Sequence, residues 1–179
     1  MNRGSRGNDR AQRFSAVCEP LRMDLFRFAL WLSRSRSIAE DVVQETMLRA
    51  WRSFDALQDA GAARHWLLTI ARREHARLYE RKRLETVDID DLVNSETIAL
   101  AARPENDIDP DQLSDVRRAI FDLDQEYREP LVLQVLMGYS TEEIARHMSL
   151  QQGAVLTRLF RARNKLRERL GLGPDESDE

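Results

Sequence analysis

The sequence has few of the residues that cross-link or interrupt a chain: one cysteine, Cys18, five prolines and seven glycines among 179 residues. A single cysteine excludes an internal disulfide framework, and Cys18 is expected to be a small core residue. No run approaches the ~18 apolar residues that a membrane span needs, and the Arg-rich start lacks the apolar centre of a signal peptide. We therefore expect a cytoplasmic protein without direct membrane insertion.

Histidine is also scarce, since the chain has only His65, His75 and His147. These residues are scattered on different predicted helices, without the spacing of metal ligands, and we expect them to be surface or boundary residues and not ligands. The carboxylates show no convergent set of acid, base and nucleophile. We therefore predict no metal, no cofactor and no catalytic residues, which argues against an enzyme.

The formal net charge of -3 averages segments of opposite sign. Residues 1–84 carry 17 Arg or Lys against 10 Asp or Glu, and residues 116–171 carry 10 against 7. Residues 85–115 carry 1 against 10. Two basic bodies therefore flank an acidic connector, and a basic body is the first sign of nucleic-acid binding.

Apolar residues recur at helical spacing on both sides of the connector, and no stretch alternates with period two. The pattern predicts an all-α fold of two small helical domains joined by an acidic flexible linker. Ser37 with Glu40 fits a capping box, and Thr141 is a candidate cap in the second domain. The predicted parts are a flexible tail (1–13), a first domain (14–84), the linker (85–115), a second domain (116–171) and an acidic tail (172–179).

The linker allows more than one interpretation. A solvated tether is the simplest, because acidic runs usually stay hydrated. Alternatively, the acids compete with nucleic acid for the basic bodies, or the segment threads through a basic channel of a partner. Charge by itself does not separate these possibilities.

In the second domain, the block "GYSTEEIARHMSLQQGAVLTRLFRARNKLRERL" predicts helix, short turn and helix, with the turn at "MSLQQG". On the second helix, Val155, Leu159, Ala162 and Leu166 share one face. The opposite face carries hydrogen-bonding and apolar groups, which suit base edges and thymine methyls in the major groove. Its residues are Leu156, Thr157, Phe160, Arg161 and Asn164.

Two surfaces of the first domain need an explanation. The helical stretch "AEDVVQETMLRAW" places Leu48 beside Asp41, Gln44 and Glu45 on its polar face; a lone exposed leucine is common, so taken alone it calls for none. The next helix carries a stripe at four-residue spacing, Arg73, Arg77 and Arg81. A solvated face is possible, but stacked arginines repel one another unless an anion compensates, which favours phosphate binding. Arg72, Tyr79 and Lys82 accompany the stripe.

From Phe14 to Leu170 the chain resembles the small, extracytoplasmic-function type of bacterial RNA polymerase sigma factor. The resemblance rests on "AEDVVQETMLRAWRSFD", "ARHWLLTIARREHARLYERKR" and "YSTEEIARHMSLQQGAVLTRLFRARNKLRERL", in this order and with a linker between the second and third segments. The helix-turn-helix by itself is a weak signal, because many regulators contain one. The combination is strong.

The resemblance implies roles for these residues. Asp41, Gln44, Glu45 and Leu48 would dock on the coiled coil of the polymerase β′ clamp. The basic helix (Arg72, Arg73, Arg77, Tyr79, Arg81 and Lys82) and the preceding loop (55–63) would contact the minus ten promoter element and help to open the duplex. Leu156, Thr157, Phe160, Arg161 and Asn164 would face the minus thirty-five element, and an anti-sigma factor would mask the polymerase surfaces.

The sequence also departs from the family. Many members have Asn and Asp where this chain has Arg73 and Arg77, which implies more backbone attraction and less base discrimination. A basic residue is common at Leu156, and Arg is frequent at Gln134. A stand-alone helix-turn-helix regulator is the alternative function, but it leaves the Leu48 surface and the arginine stripe unexplained.

Overall fold

The structure, a computed structural model, describes the backbone of residues 3–84 and 110–173 and the side chains of residues 8–81 and 114–173. Within these ranges the fold is all-α, as predicted, and has no strand. The chain divides into two compact units, Met1–Asp91 and Leu92–Glu179. The first contains α1 (Arg3–Cys18), α2 (Arg22–Ser33), α3 (Arg36–Ser53) and α4 (Ala63–Leu84), and the second contains α5 (Pro110–Phe121), α6 (Gln125–Val135), α7 (Thr141–Met148) and α8 (Gln152–Arg169).

The core of the first unit lies where α2, α3 and α4 pack together. Helix α2 is buried almost all round, through Leu25, Phe28, Ala29, Leu30, Trp31 and Leu32. Helix α3 is buried on one side only, through Ile38, Ala39, Val42, Val43, Thr46, Met47 and Ala50. Burial of each large apolar side chain contributes about 1.5–3 kcal/mol. The central α2 thus holds the unit together and leaves the outer sides of α3 and α4 open to partners.

The cap of helix α3 lies two residues before the predicted one. Ser35 is the N-cap, and its side chain accepts a hydrogen bond from the backbone N–H of Ile38 at 3.4 Å. Glu40 pairs with Arg36 at 3.0 Å. The prediction of a Ser37–Glu40 capping box was therefore wrong. The chain turns at Arg34, which has a left-handed φ of 61°, so the first residue able to cap is Ser35.

The N-terminal segment is helical where the sequence predicted a flexible tail over residues 1–13. Helix α1 spans Arg3–Cys18. Arg10 anchors it, because its guanidinium pairs with Asp55 at 3.1 Å, donates to the Trp51 carbonyl at 2.6 Å and lies 4.3 Å from the Trp51 ring centroid. Phe14 packs edge-on against Trp51 and Phe54. These contacts join residues far apart in the chain, so local composition did not reveal them.

In the second unit a buried arginine holds the turn between α5 and α6. Arg128 is 4% exposed, and its guanidinium donates to the Phe121 carbonyl at 2.8 Å and to the Leu123 carbonyl. Carbonyls at a helix end have no partner within the helix, so a buried cation that satisfies them stabilises the turn. The second unit therefore uses a charged group to fix its local geometry.

The predicted helix, turn and helix are present as α7 and α8. The cap of α7 is Ser140 and not Thr141: the Ser140 hydroxyl accepts from the Glu143 N–H at 3.2 Å, and the Glu143 carboxylate accepts from the Ser140 N–H at 2.8 Å. Ser149 ends α7 with a left-handed φ of 56°. This geometry places α8 directly after the tight turn at "MSLQQG", as predicted.

Helix α5 begins at Pro110, inside the predicted linker over residues 85–115. Proline is well placed at a first helical position, because its missing N–H has no partner there in any case. The rest of that linker, residues 85–109, and the acidic tail from residue 174 lie outside the described residues. In the described part of the chain, no helix is long and apolar enough to cross a membrane.

Candidate nucleic-acid and partner interfaces

The outer face of α3 carries all four residues of the predicted docking surface. Asp41, Gln44 and Leu48 are exposed and Glu45 is half-buried. Leu48 is 43% exposed, although the same helix buries its other aliphatic side chains in the core. Their spacing of three, four and seven residues places the four side chains on one side of the helix. The structure therefore brings these residues together as a polar surface with an apolar residue, Leu48, at one end.

The arginine stripe of α4 also faces solvent: Arg73, Arg77 and Arg81 are exposed. Arg77, however, is already paired. Its guanidinium lies 2.7 Å from the Glu74 carboxylate and 3.6 Å from that of Glu45. The expectation that an external anion must compensate the stripe was therefore wrong for Arg77, because the fold supplies two carboxylates.

Glu74 is the residue that the sequence analysis missed. It is 3% exposed, and its carboxylate pairs with Arg49 of α3 as well as with Arg77. A buried charge is expensive to desolvate unless it is paired, so the two guanidinium groups offset the cost of burying the Glu74 carboxylate. Its spacing of three residues from Arg77 was visible in the sequence. Its burial and its pairing with Arg49 were not.

The other predicted residues of α4 lie on a different side of the helix. Arg72 is half-buried, and Tyr79 is 45% exposed and stacks on His75 with ring centroids 6.2 Å apart. At 3.6 residues per turn, Arg72 and Tyr79 share one side, about a third to a half of a turn from the stripe. The side chain of Lys82 lies outside the described residues. The structure therefore divides the predicted minus ten set into two groups.

The loop between α3 and α4 is short and ordered by local contacts. It contains the 3₁₀ turns Phe54–Ala56 and Ala60–Ala62. Asp59 accepts a hydrogen bond from the Gly61 N–H at 2.9 Å. Asp55, at the start of the loop, is held by Arg10. Two residues of α1 that are one turn apart thereby influence where this loop lies: Arg10 through Asp55, and Phe14 through Phe54.

In the second unit, the outward face of α8 is as predicted. Leu156 and Phe160 are each 53% exposed. Thr157, Arg161 and Asn164 are exposed as well, while Val155, Leu159 and Ala162 are buried. The Thr157 hydroxyl donates to the Gly153 carbonyl at 2.9 Å. The face therefore combines two apolar side chains with a hydroxyl, an amide and a guanidinium.

The other basic residues of α8 are held by α6 and its flank. Arg163 donates to the Gln134 side-chain oxygen at 2.7 Å, and Arg158 lies 3.9 Å from the Glu126 carboxylate. An arginine at position 134 could not accept that hydrogen bond, so the neutral residue there fits Arg163. Within the described residues, Arg161 has no such protein partner. Of these three arginines, Arg161 is the one left available to a ligand.

Two of the three histidines are more buried than the sequence predicted. His75 and His147 are buried, at 3% and 5% exposure, and only His65 is at the surface. His147 packs edge-on against Tyr139, with ring centroids 5.9 Å apart. The expectation of surface or boundary positions was therefore wrong for these two residues. His75 stacks on Tyr79 of its own helix and Tyr139 precedes the helix of His147, and the sequence spacing gives no sign of this burial. Among the side chains that the structure describes, no cluster of His, Cys, Asp and Glu could hold a metal ion.

A helix-turn-helix with an outward apolar and hydrogen-bonding face, together with a basic stripe on a separate unit, defines a DNA-binding protein with two contact surfaces. Two family models match the chain: Sigma-70 region 2 over residues 19–85, and Sigma-70, region 4 over residues 113–166. The chain belongs to the ECF family of RNA polymerase sigma factors. It is therefore a promoter-specific transcription initiation factor that binds core RNA polymerase.

Individual relatives cover most of the chain. The chain is 33% identical to the ECF sigma factor EcfG of Rhodopseudomonas palustris, covering 84% of each protein. It is 34% identical to the ECF sigma factor SigC of Mycobacterium tuberculosis, over 90% of this chain and 84% of SigC. Among solved structures, it is similar to the Bartonella quintana sigma factor RpoE in complex with the anti-sigma factor NepR, with a TM-score of 0.69, 28% identity and coverage of 89% and 99%.

Proposed function

We propose that Asp41, Gln44, Glu45 and Leu48 form the surface that docks on the β′ clamp coiled coil of core RNA polymerase. The observation that carries this assignment is the 43% exposure of Leu48, one turn beyond Gln44 and Glu45 on the same outer face of α3. Protein interfaces combine apolar contacts with polar ones, so an exposed leucine next to polar side chains fits this role. Because the opposite side of α3 is packed into the core, the docking residues are presented on a rigid element.

The α4 surface is proposed to bind the minus ten element. Arg73, Arg77 and Arg81 supply positive charge along one side, and Arg72 and Tyr79 offer a guanidinium and a ring on another. Aromatic and cationic groups together suit a single strand, whose bases stack while the backbone is neutralised. The ordered loop after α3 would hold an unstacked base during melting. Lys82 belongs to this proposal by sequence only.

Helix α8 is proposed to enter the major groove at the minus thirty-five element. Thr157, Arg161 and Asn164 can hydrogen-bond to base edges or phosphates, and Leu156 and Phe160 can contact thymine methyls. The outward position of all five side chains supports this role. Control by an anti-sigma factor is also proposed, because the chain is similar to two sigma factors solved with such partners: RpoE with NepR, and CnrH with the cytosolic domain of CnrY.

The chain is further proposed to act in the cytoplasm and to have no catalytic activity, so that RNA synthesis is carried out by the polymerase. A stand-alone regulator is the second candidate. The helix-turn-helix fits a stand-alone regulator as well as it fits a sigma factor. A stand-alone regulator, however, does not dock on the polymerase and so does not explain the exposed Leu48.

The docking surface is tested by native co-migration with core RNA polymerase. Wild type is compared with an Asp41→Ala, Gln44→Ala, Leu48→Glu variant, and circular dichroism checks its folding. The control is Arg36→Ala, Glu40→Ala, which removes an exposed ion pair from another side of the same helix. We expect the triple variant to lose association by at least about 100-fold, since removing a few central contacts costs several kcal/mol. Equal binding by all three proteins would refute the assignment.

If no protein associates with core while wild type still binds duplex DNA alone, the docking assignment fails and the second candidate takes its place. Association lost in the triple variant and retained in the control would exclude a stand-alone regulator.

A further inference from the structure

A groove of about 320 Å³ lies in the first unit, between the C-terminal end of α3 and the middle of α4. Its size is near the lower end of the range for small-ligand pockets, about 300–1,000 Å³. Helix α3 contributes Arg49, Arg52 and Ser53, and α4 contributes Ile70, Arg73 and Glu74. Three of the six lining residues, Arg49, Arg52 and Arg73, are arginines. No binding role was assigned above to the three residues that α3 contributes.

The single carboxylate of the groove is already neutralised. Glu74 pairs with Arg49 inside the groove and with Arg77 beside it. Ser53 is occupied too, because its hydroxyl donates to the Arg49 carbonyl at 2.9 Å. The groups that remain for a ligand are therefore cationic, apart from the apolar side chain of Ile70.

Arg52 and Arg73 are the two guanidinium groups that approach the groove from opposite helices. Both are exposed, and within the described residues neither has a carboxylate partner. Like charges that converge on one groove repel each other, whereas an anion between them turns repulsion into two charge-assisted hydrogen bonds. Arginine also matches the geometry of phosphate oxygens, because it presents several N–H donors in one plane.

We propose that this groove binds a phosphodiester group of the promoter strand, held between Arg52 and Arg73, with Ile70 against the sugar. The proposal rests on the proposed function of α4 and extends it to α3. A strand is favoured over a free phosphate compound, because Arg73 is also the first residue of the basic stripe. The loop proposed to hold an unstacked base begins two residues after Ser53. A strand that follows the stripe to this loop passes the groove.

The proposal assigns different partners to two neighbouring parts of α3. Leu48 and the residues before it dock on the polymerase, while Arg52, one turn further on, contacts DNA. Because Arg52 is so close to the docking surface, its effects on the two partners must be measured separately. The first measurement is therefore core-polymerase affinity, and the second is promoter affinity of holoenzyme assembled at saturating sigma factor.

The test uses Arg52→Gln, Arg73→Gln and the double variant in reconstituted holoenzyme, with a fork-junction promoter probe whose non-template strand is single-stranded. The control is Arg22→Gln, which removes the same charge from an arginine of α2 that is 50% exposed. We expect Arg52→Gln to weaken promoter binding on the order of 10-fold, as for loss of one charged hydrogen bond. The slope of log K against log salt should also fall by about 0.7–0.9.

Neutral methylphosphonate linkages, placed one at a time along the probe, identify the phosphate. At one position the neutral linkage should weaken promoter binding by wild-type holoenzyme about as much as Arg52→Gln does. At that position it should weaken binding by the Arg52→Gln and Arg73→Gln variants little further. Such non-additivity at a single position is the expected result, because both changes remove the same interaction.

Four outcomes would overturn the proposal. Arg52→Gln could behave like Arg22→Gln, or it could lower core affinity alone, which would assign Arg52 to the docking surface. Arg52→Gln could also weaken binding of every probe by the same factor, whichever linkage is neutral, which would show long-range attraction only. Holoenzyme that fails to bind the probe even as wild type would instead refute the proposed function. Micromolar binding of adenosine monophosphate to the free chain, lost in Arg52→Gln and without effect on promoter binding, would indicate a small-molecule site and also refute the phosphodiester assignment.

Discussion

The two units present their basic residues in different ways. In the first unit, the arginines nearest the α3–α4 contact are organised around a buried carboxylate, Glu74, which holds Arg49 and Arg77. In the second unit, α8 ties Arg158 and Arg163 to α6 and leaves Arg161 outward, beside Leu156 and Phe160. The first unit therefore offers positive charge with few apolar groups. The second offers a mixed face.

This difference matches the two kinds of DNA contact. Cations arranged along a helix neutralise phosphates and position a strand, but they do not by themselves distinguish bases. A face that mixes apolar and hydrogen-bonding groups can read base edges and thymine methyls. We therefore expect more of the promoter discrimination of this sigma factor to come from α8, and more of its salt-dependent affinity to come from α4.

The largest expected effect is on the mixed face. Replacing Leu156 and Phe160 by Ala together should reduce discrimination between the mapped promoter and one with a scrambled minus thirty-five element by about 100-fold, since reading of each base pair is worth about 1–3 kcal/mol and two reading side chains are removed. Competition binding with holoenzyme measures the ratio. Val135→Ala is the control, because Val135 is 65% exposed on a different helix. Unchanged discrimination in the folded double variant would show that α8 does not read bases through its apolar groups.

The second expected effect is on the free energy of unfolding of the first unit alone. Burial, and to a smaller degree the charge of Glu19, raises the pKa of the Cys18 thiol from 9.0 to about 11. In the unfolded chain the thiol loses its proton near its ordinary pKa. The stability that the protonated thiol contributes is therefore fully present below pH 9, and it is lost as the pH rises through the pKa of the thiol in the folded protein. The free energy of unfolding should fall by up to about 2.7 kcal/mol across this window.

Tryptophan fluorescence can follow this loss, because Trp31, Trp51 and Trp66 all belong to the first unit. Urea unfolding at pH 8 and at pH 10.5 is compared between wild type and Cys18→Ala. The variant should show the smaller decrease. An equal decrease in both proteins would mean that other groups cause the pH dependence.

The smallest effect tests the ion-pair centre itself. Glu74→Gln keeps the shape of the side chain but leaves Arg49 and Arg77 without their shared carboxylate. We expect a loss of about 2 kcal/mol, below the usual cost of breaking a buried pair because both arginines are half exposed. Glu40→Gln, which breaks an exposed pair, should cost less than about 1 kcal/mol. Urea unfolding monitored by tryptophan emission distinguishes them, and equal losses would contradict a central role for Glu74.

Much of the candidate site could be predicted from short-range spacing. The outward faces of α3 and α8 follow from helical periodicity, because the buried residues of one side define the exposed residues of the other. The turn at "MSLQQG" was predicted for the same local reason. Capping was harder: serines or threonines one or two positions apart, Ser35 and Ser37 or Ser140 and Thr141, all fit the pattern. Only the backbone direction at the turn selects one of them.

Interactions between distant segments could not be predicted in this way. The helical period of α4 did not show that Glu74 is buried, since a carboxylate normally marks an exposed position. His75 and His147 were expected at surfaces or boundaries, and Arg10 in a flexible tail. Glu74, His147 and Arg10 contact side chains from another helix or loop, and one sequence contains no signal for such a partner.

The amino-acid sequence by itself determined the helical class, the two basic bodies around an acidic connector and the residues on each outward face. These properties depend on composition and on spacing within one or two helical turns. The tertiary structure decided which charges are already paired: Arg77 with Glu74 and Glu45, Arg49 with Glu74, and Arg10 with Asp55. Ion pairing depends on distance in space, so only the packing of α3 against α4 shows that Arg49 is paired in the groove while, in the described part of the chain, Arg52 and Arg73 have no carboxylate partner there.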